Sequence, residues 1–279
     1  MQRYHKPVWW KFTRLNNRTH RRVLVVDGHV GFTGGVGIAD QWRGDAENEK
    51  HWRDTHFRVE GPVVGQMQAV FADNWTKATG TVLDGPLYFP PLKPSGGHAA
   101  QMFSSSPSGG SESMLLMYLM AITAARDTIH LSSSYFVPDD LTIHALVTAA
   151  KRGVKVRIIT PGDDIDSDVV RIASRERWGA LLEAGIEIAE YQPTMFHVKA
   201  LVVDSLMVSV GSTNFDNRSF SLNNEANLNI IDGEFATEQV AIFDDDWKRA
   251  RPTSLQAWQQ RPWTGKVAGE LASLIGDQL

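Results

Sequence analysis

His197 and Lys199 stand two residues apart and are followed at fixed distances by Asp204, Gly211, Ser212 and Asn214, in the spacing H-x-K-x4-D-x6-G-S-x-N. On an extended strand, side chains two apart share a face. An imidazole beside an ammonium group has little to do in an apolar core. Together they can handle a phosphate, which the lysine grips and the histidine attacks or protonates. Ser212 and Asn214, in the turn that follows, can donate hydrogen bonds to the same oxygens. The pattern occurs twice. At a constant offset of 177 positions, His20 falls on His197, Arg22 on Lys199, Asp27 on Asp204 and Gly34 on Gly211, and VLVVD matches ALVVD.

The elements that must position these residues repeat as well. Residues 54–75, DTHFRVEGPVVGQMQAVFADNW, parallel residues 225–247 with one residue of slippage. Each copy predicts a β-hairpin, a third strand and an amphipathic helix ending at Trp75 or Trp247. Asp27 and Asp204 fall at the hairpin tips, where aspartate favours turns, and are read as structural. Before the second copy, strands are expected at 128–133, 154–160 and 187–191, with helices at 112–126, 139–152 and 168–184. That alternation implies an α/β sheet with helices packed on its faces. His20 is preceded by only 19 residues, so the first lobe is expected to lack its opening strands and helices, as if the chain began inside a longer parental sequence. The expected organisation is a partial lobe at 1–84, a Pro/Gly/Ser-rich linker at 85–110 interrupted by Met102 and Phe103, and a complete lobe at 111–279. A hairpin without its neighbouring strands has unpaired edges, which suits pairing with a second copy as a homodimer.

Charge is unevenly spread. The net charge is −4, yet residues 1–22 hold seven Lys or Arg and no acid. This basic start, interleaved with Trp9, Trp10 and Phe12, suits an anionic membrane surface. The acidic remainder argues against a nucleic-acid partner. The absence of cysteine excludes disulfides, thiolate metal sites and a cysteine nucleophile. No signal peptide is visible. The longest apolar run, Met114–Ala125, is too short to span a bilayer. His51, Asp54 and His56 are close in sequence but read as incidental, so neither a metal nor any other cofactor is expected.

The doubled motif resembles the phospholipase D superfamily. Further stretches resemble bacterial cardiolipin synthases: RRVLVVDGHVGFTGG at 21–35, YFVPDD at 135–140, EYQPTMFHVK at 190–199 and GSTNFDNRSFSLNNEANL at 211–228. The resemblance implies a mixed sheet flanked by helices in two pseudo-twofold-related lobes, the first incomplete, with the two motifs facing one another. It implies a phosphohistidine mechanism without metal, with His20 as nucleophile and His197 as acid/base. Lys199, Arg22, Ser212 and Asn214 would hold phosphate, and Glu225 and its counterpart Asp54 would orient the histidines. It further implies phosphatidyl transfer between anionic phospholipids such as phosphatidylglycerol, at the cytoplasmic face of a bacterial inner membrane. Two alternatives stay open, a phosphodiester hydrolase of the same superfamily and a lipid-binding chain without turnover. The first motif departs from the pattern at Arg22, which is bulkier and planar. It also has Gly35 and Gly37 where the second has Ser212 and Asn214, which removes two donors and would let the backbone approach a phosphate.

Overall fold

The computed structural model describes residues 18–107 and 113–261. The basic residues Arg3, Lys6, Lys11 and Arg14, with Trp9, Trp10 and Phe12, lie outside them, as does Glu112 at the start of an expected helix. The first copy comprises β1 (Arg18–Thr19), β2 (Val23–Val26), β3 (Val30–Gly34), β4 (His56–Glu60) and α1 (Val63–Thr79). β2 and β3 form an antiparallel hairpin and β4 pairs with β3. Asp27 and Gly28 turn the hairpin with positive φ of 53° and 70°. A Cβ on Gly28 would sit 2.5 Å from Pro90, so only glycine fits there.

The second copy is built into a longer run: β5 (Ala99–Ser105), α2 (Ser113–Ala124), β6 (Thr128–Ser133), β7 (Phe136–Val137), α3 (Asp140–Lys151), β8 (Lys155–Pro161), α4 (Asp168–Glu176), α5 (Gly179–Glu183), β9 (Glu187–Tyr191), β10 (Lys199–Val203), β11 (Met207–Gly211), β12 (Phe215–Asp216), β13 (Asn223–Ile231), α6 (Gly233–Lys248), β14 (Ala250–Thr253) and α7 (Leu255–Gln259). The main sheet runs β1-β13-β11-β10-β6-β8-β9-β14, and β5 also pairs with β13. β6, β8 and β9 are parallel, while β10, β11 and β13 are antiparallel, so the sheet is mixed. The expected strands form within a residue or two of their predicted ends, and so do the helices, except that α1 runs on past Trp75 to Thr79 and the helix expected over 168–184 is broken.

Two expectations are corrected. The stretch 85–110 is not only a linker, because β5 lies inside it and pairs with β13 from Ser105↔Glu225 to Ala99↔Ile231. The helix expected over 168–184 is two helices, α4 and α5. At the break Trp178 is buried and its Nε1 donates to Ser174 Oγ, and Trp258 packs where a side chain at Gly179 would project.

The copies differ at one edge. β10 is flanked by β6, and helices cover its Leu201 and Val203, which are 1% and 6% exposed. The matching Leu24 and Val26 on β2 are 58% and 42% exposed, and β2 has no partner on that side among the described residues. The lobes are joined by an apolar core in which Val59, Val64 and Met67 pack with Val208, Val210 and Leu228. Each fully buried side chain of this size contributes about 1.5–3 kcal/mol, so the two copies are held as one body.

Candidate active site

Local backbone geometry decides what each histidine meets. His20 directly follows β1, which lies along the start of β13, and its N–H donates to Asn224 O at 2.9 Å. His197 precedes β10, and its N–H donates to Arg53 O at 2.7 Å. Each histidine therefore docks beside the residue just before the carboxylate of the other copy. The side chains follow the same crossing. His20 Nδ1 donates to Glu225 Oε1 at 3.0 Å, and His197 Nδ1 donates to Asp54 Oδ2 at 2.7 Å. Arg53, which carries the docking carbonyl, is anchored by two 2.8 Å bonds to Asp246 on α6.

The two acids are held differently. Glu225 is fully buried and also accepts from Ser212 Oγ at 2.5 Å and Asn223 Nδ2 at 3.2 Å. Asp54 accepts from the Thr55 N–H at 2.8 Å and from Trp42 Nε1 at 3.0 Å. Ser212 was expected to donate to phosphate, but its single hydroxyl proton goes to Glu225, so it positions the acid beside His20. Asn214 is buried and its Oδ1 accepts from Ser134 Oγ at 2.6 Å.

Lys199 is buried to 1% exposure without a carboxylate in direct contact. Its Nζ donates to Ser134 Oγ at 2.5 Å and His197 O at 2.8 Å, and lies 3.1–3.2 Å from both ring nitrogens of His197. Burial pushes its pKa down to about 7, against the attraction of Asp54 and Glu225. A cation so placed gains from any anion that enters. Burial, and then the Lys199 charge, push His197 down to about 3, against the pull of Asp54. Trp42 and Trp52 wall the ring, each with its centroid 5.4 Å from that of His197. The side chain of His197 is 7% exposed, while that of His20 is 25% exposed.

Arg22 answers the question raised by its motif. Its Nη1 donates to Gly35 O at 2.6 Å and its guanidinium lies 5.2 Å from the Trp42 ring centre. Burial lowers its pKa, while Asp54 and Glu225 both raise it, so both lobes' acids act on it. A Cβ at Gly37 would come within 2.9 Å of both Arg22 Nη1 and Trp42, and one at Gly35 within 2.1 Å of Asp54 Oδ1. These glycines make room for Arg22, Trp42 and Asp54, which was not foreseen from the sequence.

Asp204 accepts backbone N–H groups from Arg126, Asp127 and Thr128 at 2.8–2.9 Å, tying its hairpin tip to β6, and Asp27 sits exposed at the equivalent tip. His51, Asp54 and His56 do not converge: His51 pairs with Glu47, Asp54 with His197, and His56 stacks on Phe32. No His/Asp/Glu group able to hold a metal occurs among the described residues. A cleft of about 750 Å³ opens behind Trp42, Trp52 and Asp54 toward α6. Its Arg53 and Arg249 are neutralised by Asp246 and Asp245, so it is not a second anion site.

Sequence reasoning missed Trp42, Trp52, Ser134, Asn223 and Asp216. The last is a fully buried carboxyl that accepts from the Ser219 N–H at 2.7 Å and is pushed up to about 7, by burial first. Only the aromatic spacing in DQW and HWRD carried a usable signal.

The family profile described as "Cardiolipin synthase, PLD-like domain" matches residues 118–247. The chain is 35% identical over 268 residues to a cardiolipin synthase of Geobacillus thermodenitrificans, covering 95% of this chain and 53% of that protein. It is 37% identical over 267 residues to a cardiolipin synthase A of Pseudomonas putida, covering 96% of this chain and 55% of that one. The chain thus spans about half the length of the curated relatives it matches. Among solved structures it is similar to phosphatidylserine synthase of Haemophilus influenzae, with a TM-score of 0.71 at 13% identity, over 96% of this chain and 72% of that one. This last likeness concerns the fold alone.

Proposed function

Because the chain belongs to the phospholipase D superfamily, in its cardiolipin synthase-like branch, we propose that its crossed histidine site transfers a phosphatidyl group between two anionic phospholipids to make cardiolipin. The observation that carries this reading is the pairing of each histidine with a carboxylate of the opposite copy, around the buried cation Lys199 and the partly buried Arg22. A carboxylate on Nδ1 fixes that nitrogen as the proton donor and leaves Nε2 as the reacting atom.

In the first step the donor phosphate lies between Lys199 and Arg22, and His20 Nε2 attacks phosphorus. The bond from phosphorus to the headgroup oxygen breaks, and His197 gives its Nε2 proton to the departing glycerol. The anionic donor beside Lys199 offsets the second cause of the His197 depression, the Lys199 charge, and so favours the protonated imidazole against its burial. In the second step His197 takes the proton from the hydroxyl of a second phosphatidylglycerol. That oxygen attacks phosphorus, the P–N bond breaks, and cardiolipin and free His20 result. The greater exposure of His20 supports its role as nucleophile, and the enclosure of His197 supports its role as acid and base.

The protein works at a membrane surface, peripherally and on the cytoplasmic side of the inner membrane. The basic, aromatic stretch before Thr19 supports this. The open β2 edge, with Leu24 and Val26 exposed, supports pairing between copies, which sedimentation equilibrium reads directly. The test of the activity is mass-spectrometric analysis of products from phosphatidylglycerol vesicles, beside His20→Ala and His197→Ala. Cardiolipin from the parent chain and from neither variant is expected. Phosphatidic acid alone from the parent chain would replace transferase by hydrolase, and no product at all would leave a lipid-binding chain.

A further inference from the structure

Resolving a phosphohistidine with an alcohol, in the presence of far more abundant water, requires that the alcohol be held. Neither histidine does this, and Lys199 and Arg22 are engaged with the phosphate. Beside them lies a pair the mechanism has not used. Tyr135 directly follows Ser134, whose hydroxyl accepts a hydrogen bond from Lys199 Nζ and donates one to Asn214 Oδ1. Its carbonyl accepts from Ser133 Oγ at 2.5 Å and the Phe215 N–H at 3.1 Å, which pins its backbone at the site. Its ring packs against Val137, Val170 and Ala173, and its hydroxyl donates to Asp166, at 2.7 and 2.8 Å from the two carboxylate oxygens.

Asp166 itself is exposed, in the loop between β8 and α4. The pair is close enough to the cations to act on them electrostatically: Asp166 works against the burial that pushes Lys199 down, and Arg22 works against the burial that pushes Tyr135 up. An exposed carboxylate this near the cations repels the phosphate of a donor lipid. It attracts a neutral group that donates hydrogen bonds, which is what an acceptor hydroxyl is. With one proton from Tyr135, Asp166 keeps lone pairs for a hydroxyl, and the Tyr135 oxygen keeps one for a second. The oxygens of the pair lie at a spacing that adjacent hydroxyls of a glycerol headgroup can bridge.

We propose that Tyr135 and Asp166 form the acceptor subsite, binding the vicinal hydroxyls of a polyol headgroup beside the reacting phosphorus and setting the ratio of transfer to hydrolysis. This rests on the transferase reading and names the residues that hold its acceptor. Asp166 takes no proton from the acceptor. It orients the diol while His197 removes the proton of the attacking hydroxyl.

The test offers the whole chain phosphatidylglycerol vesicles with 1,2-propanediol and 1-propanol in equal amounts, and reads both phosphatidyl alcohols and phosphatidic acid by mass spectrometry. The parent chain is expected to prefer the diol. Tyr135→Phe and Asp166→Asn are each expected to lose that preference and to raise the ratio of phosphatidic acid to transfer product by about tenfold or more, the cost of one hydrogen bond to a charged group. Asp163→Asn, in the same loop but paired with Arg171, is expected to keep the parental product ratio. A merely structural role for the pair would lower turnover without moving the ratio, and would overturn the proposal. So would a parent chain that transfers without preferring the diol. A parent chain that forms no phosphatidyl alcohol and no cardiolipin removes the transferase reading first, and the subsite with it.

Discussion

Placing serine at position 35 gives the first copy the Gly-Ser step of the second, yet the structure predicts that Gly35→Ser nearly abolishes turnover. A Cβ there would lie 2.1 Å from Asp54 Oδ1 and 2.6 Å from Oδ2. The carboxylate cannot retreat freely, because Thr55 N–H holds Oδ1 while Trp42 Nε1 and His197 Nδ1 hold Oδ2. Displacing it breaks the two side-chain bonds, each worth about 1.5–3 kcal/mol to a charged acceptor. At about 1.36 kcal/mol per factor of ten, kcat/KM falls by about 10²–10⁴ if the whole loss reaches the transition state. The second copy accommodates Ser212 because its acid is Glu225, one methylene longer, which accepts from the serine hydroxyl at 2.5 Å. Adding Asp54→Glu to Gly35→Ser should therefore recover much of the loss. Gly97→Ala, where a Cβ meets nothing within 4 Å, is the control. The assay is product formation from phosphatidylglycerol vesicles, with thermal melts to confirm folding. Gly35→Ser activity within threefold of the parent chain, or a folded single variant that Asp54→Glu does not rescue, would refute the argument.

Three further outcomes are expected. Asp216 has a folded pKa of about 7 against 3.8 unfolded, so its contribution to stability is full below about 3.8 and lost as pH rises through 7. Asp216→Asn should remove that fall, stabilising the fold above pH 7 by up to about 4 kcal/mol in urea titrations, and an unchanged pH profile would contradict it. Lys199, depressed to about 7, loses its charge as pH rises through that value in the empty site. kcat/KM for phosphatidylglycerol should then fall about tenfold per pH unit above 7, and a flat profile to pH 9 would count against a phosphate-binding Lys199. Trp42→Phe removes an N–H from the Asp54 oxygen that binds His197, leaving a stronger acceptor for the imidazolium. The His197 ring resonance should titrate at higher pH by NMR in this variant, and an unmoved midpoint would rule out a positioning role for Trp42.

The legible parts of the fold were those with strong local pattern. The hairpins and the third strands are written in β-branched runs and turn residues that fold alike in both copies, while the 128–133 and 187–191 strands, found among the described residues only in the second, stand out as short segments between helices. β5 was not legible, because Ala99–Ser105 is small and polar apart from Met102 and Phe103 and becomes a strand only by pairing with β13. The candidate histidines and Lys199 could be named from spacing, and both acids from the family resemblance. Their crossed pairing could not, since it follows from the bonds of His20 to Asn224 O and His197 to Arg53 O, which join residues more than a hundred positions apart. The use of Gly35 and Gly37 was misread for the same reason. A glycine in sequence shows what is missing, while the Asp54 and Arg22 atoms filling the space arrive from elsewhere in the chain.

A repeat would yield two equivalent half-sites if only the motifs mattered, and then either imidazole could attack. The loops after the two hairpins break that equivalence. Residues 35–55 of the first copy bring Trp42 and Trp52 against His197, close it off from water and hold Asp54 through an indole N–H. In the second copy, Ser212 and Asn223 on either side of the corresponding loop hold Glu225 by small polar groups and leave His20 more open. Each loop therefore sets the environment of one partnership: the first encloses the histidine of the second copy, and the second secures the acid that holds the histidine of the first. Under the proposed mechanism this is the division the reaction requires. The nucleophile must reach phosphorus, and the acid and base must exchange its proton with the two alcohols in turn and not with bulk water. The departures of the first motif fit the same division. Arg22 needs the volume that Gly37 leaves and stacks on the tryptophan that steadies Asp54, so its bulk backs the indole that walls His197 and, under the proposed mechanism, its charge meets the phosphate.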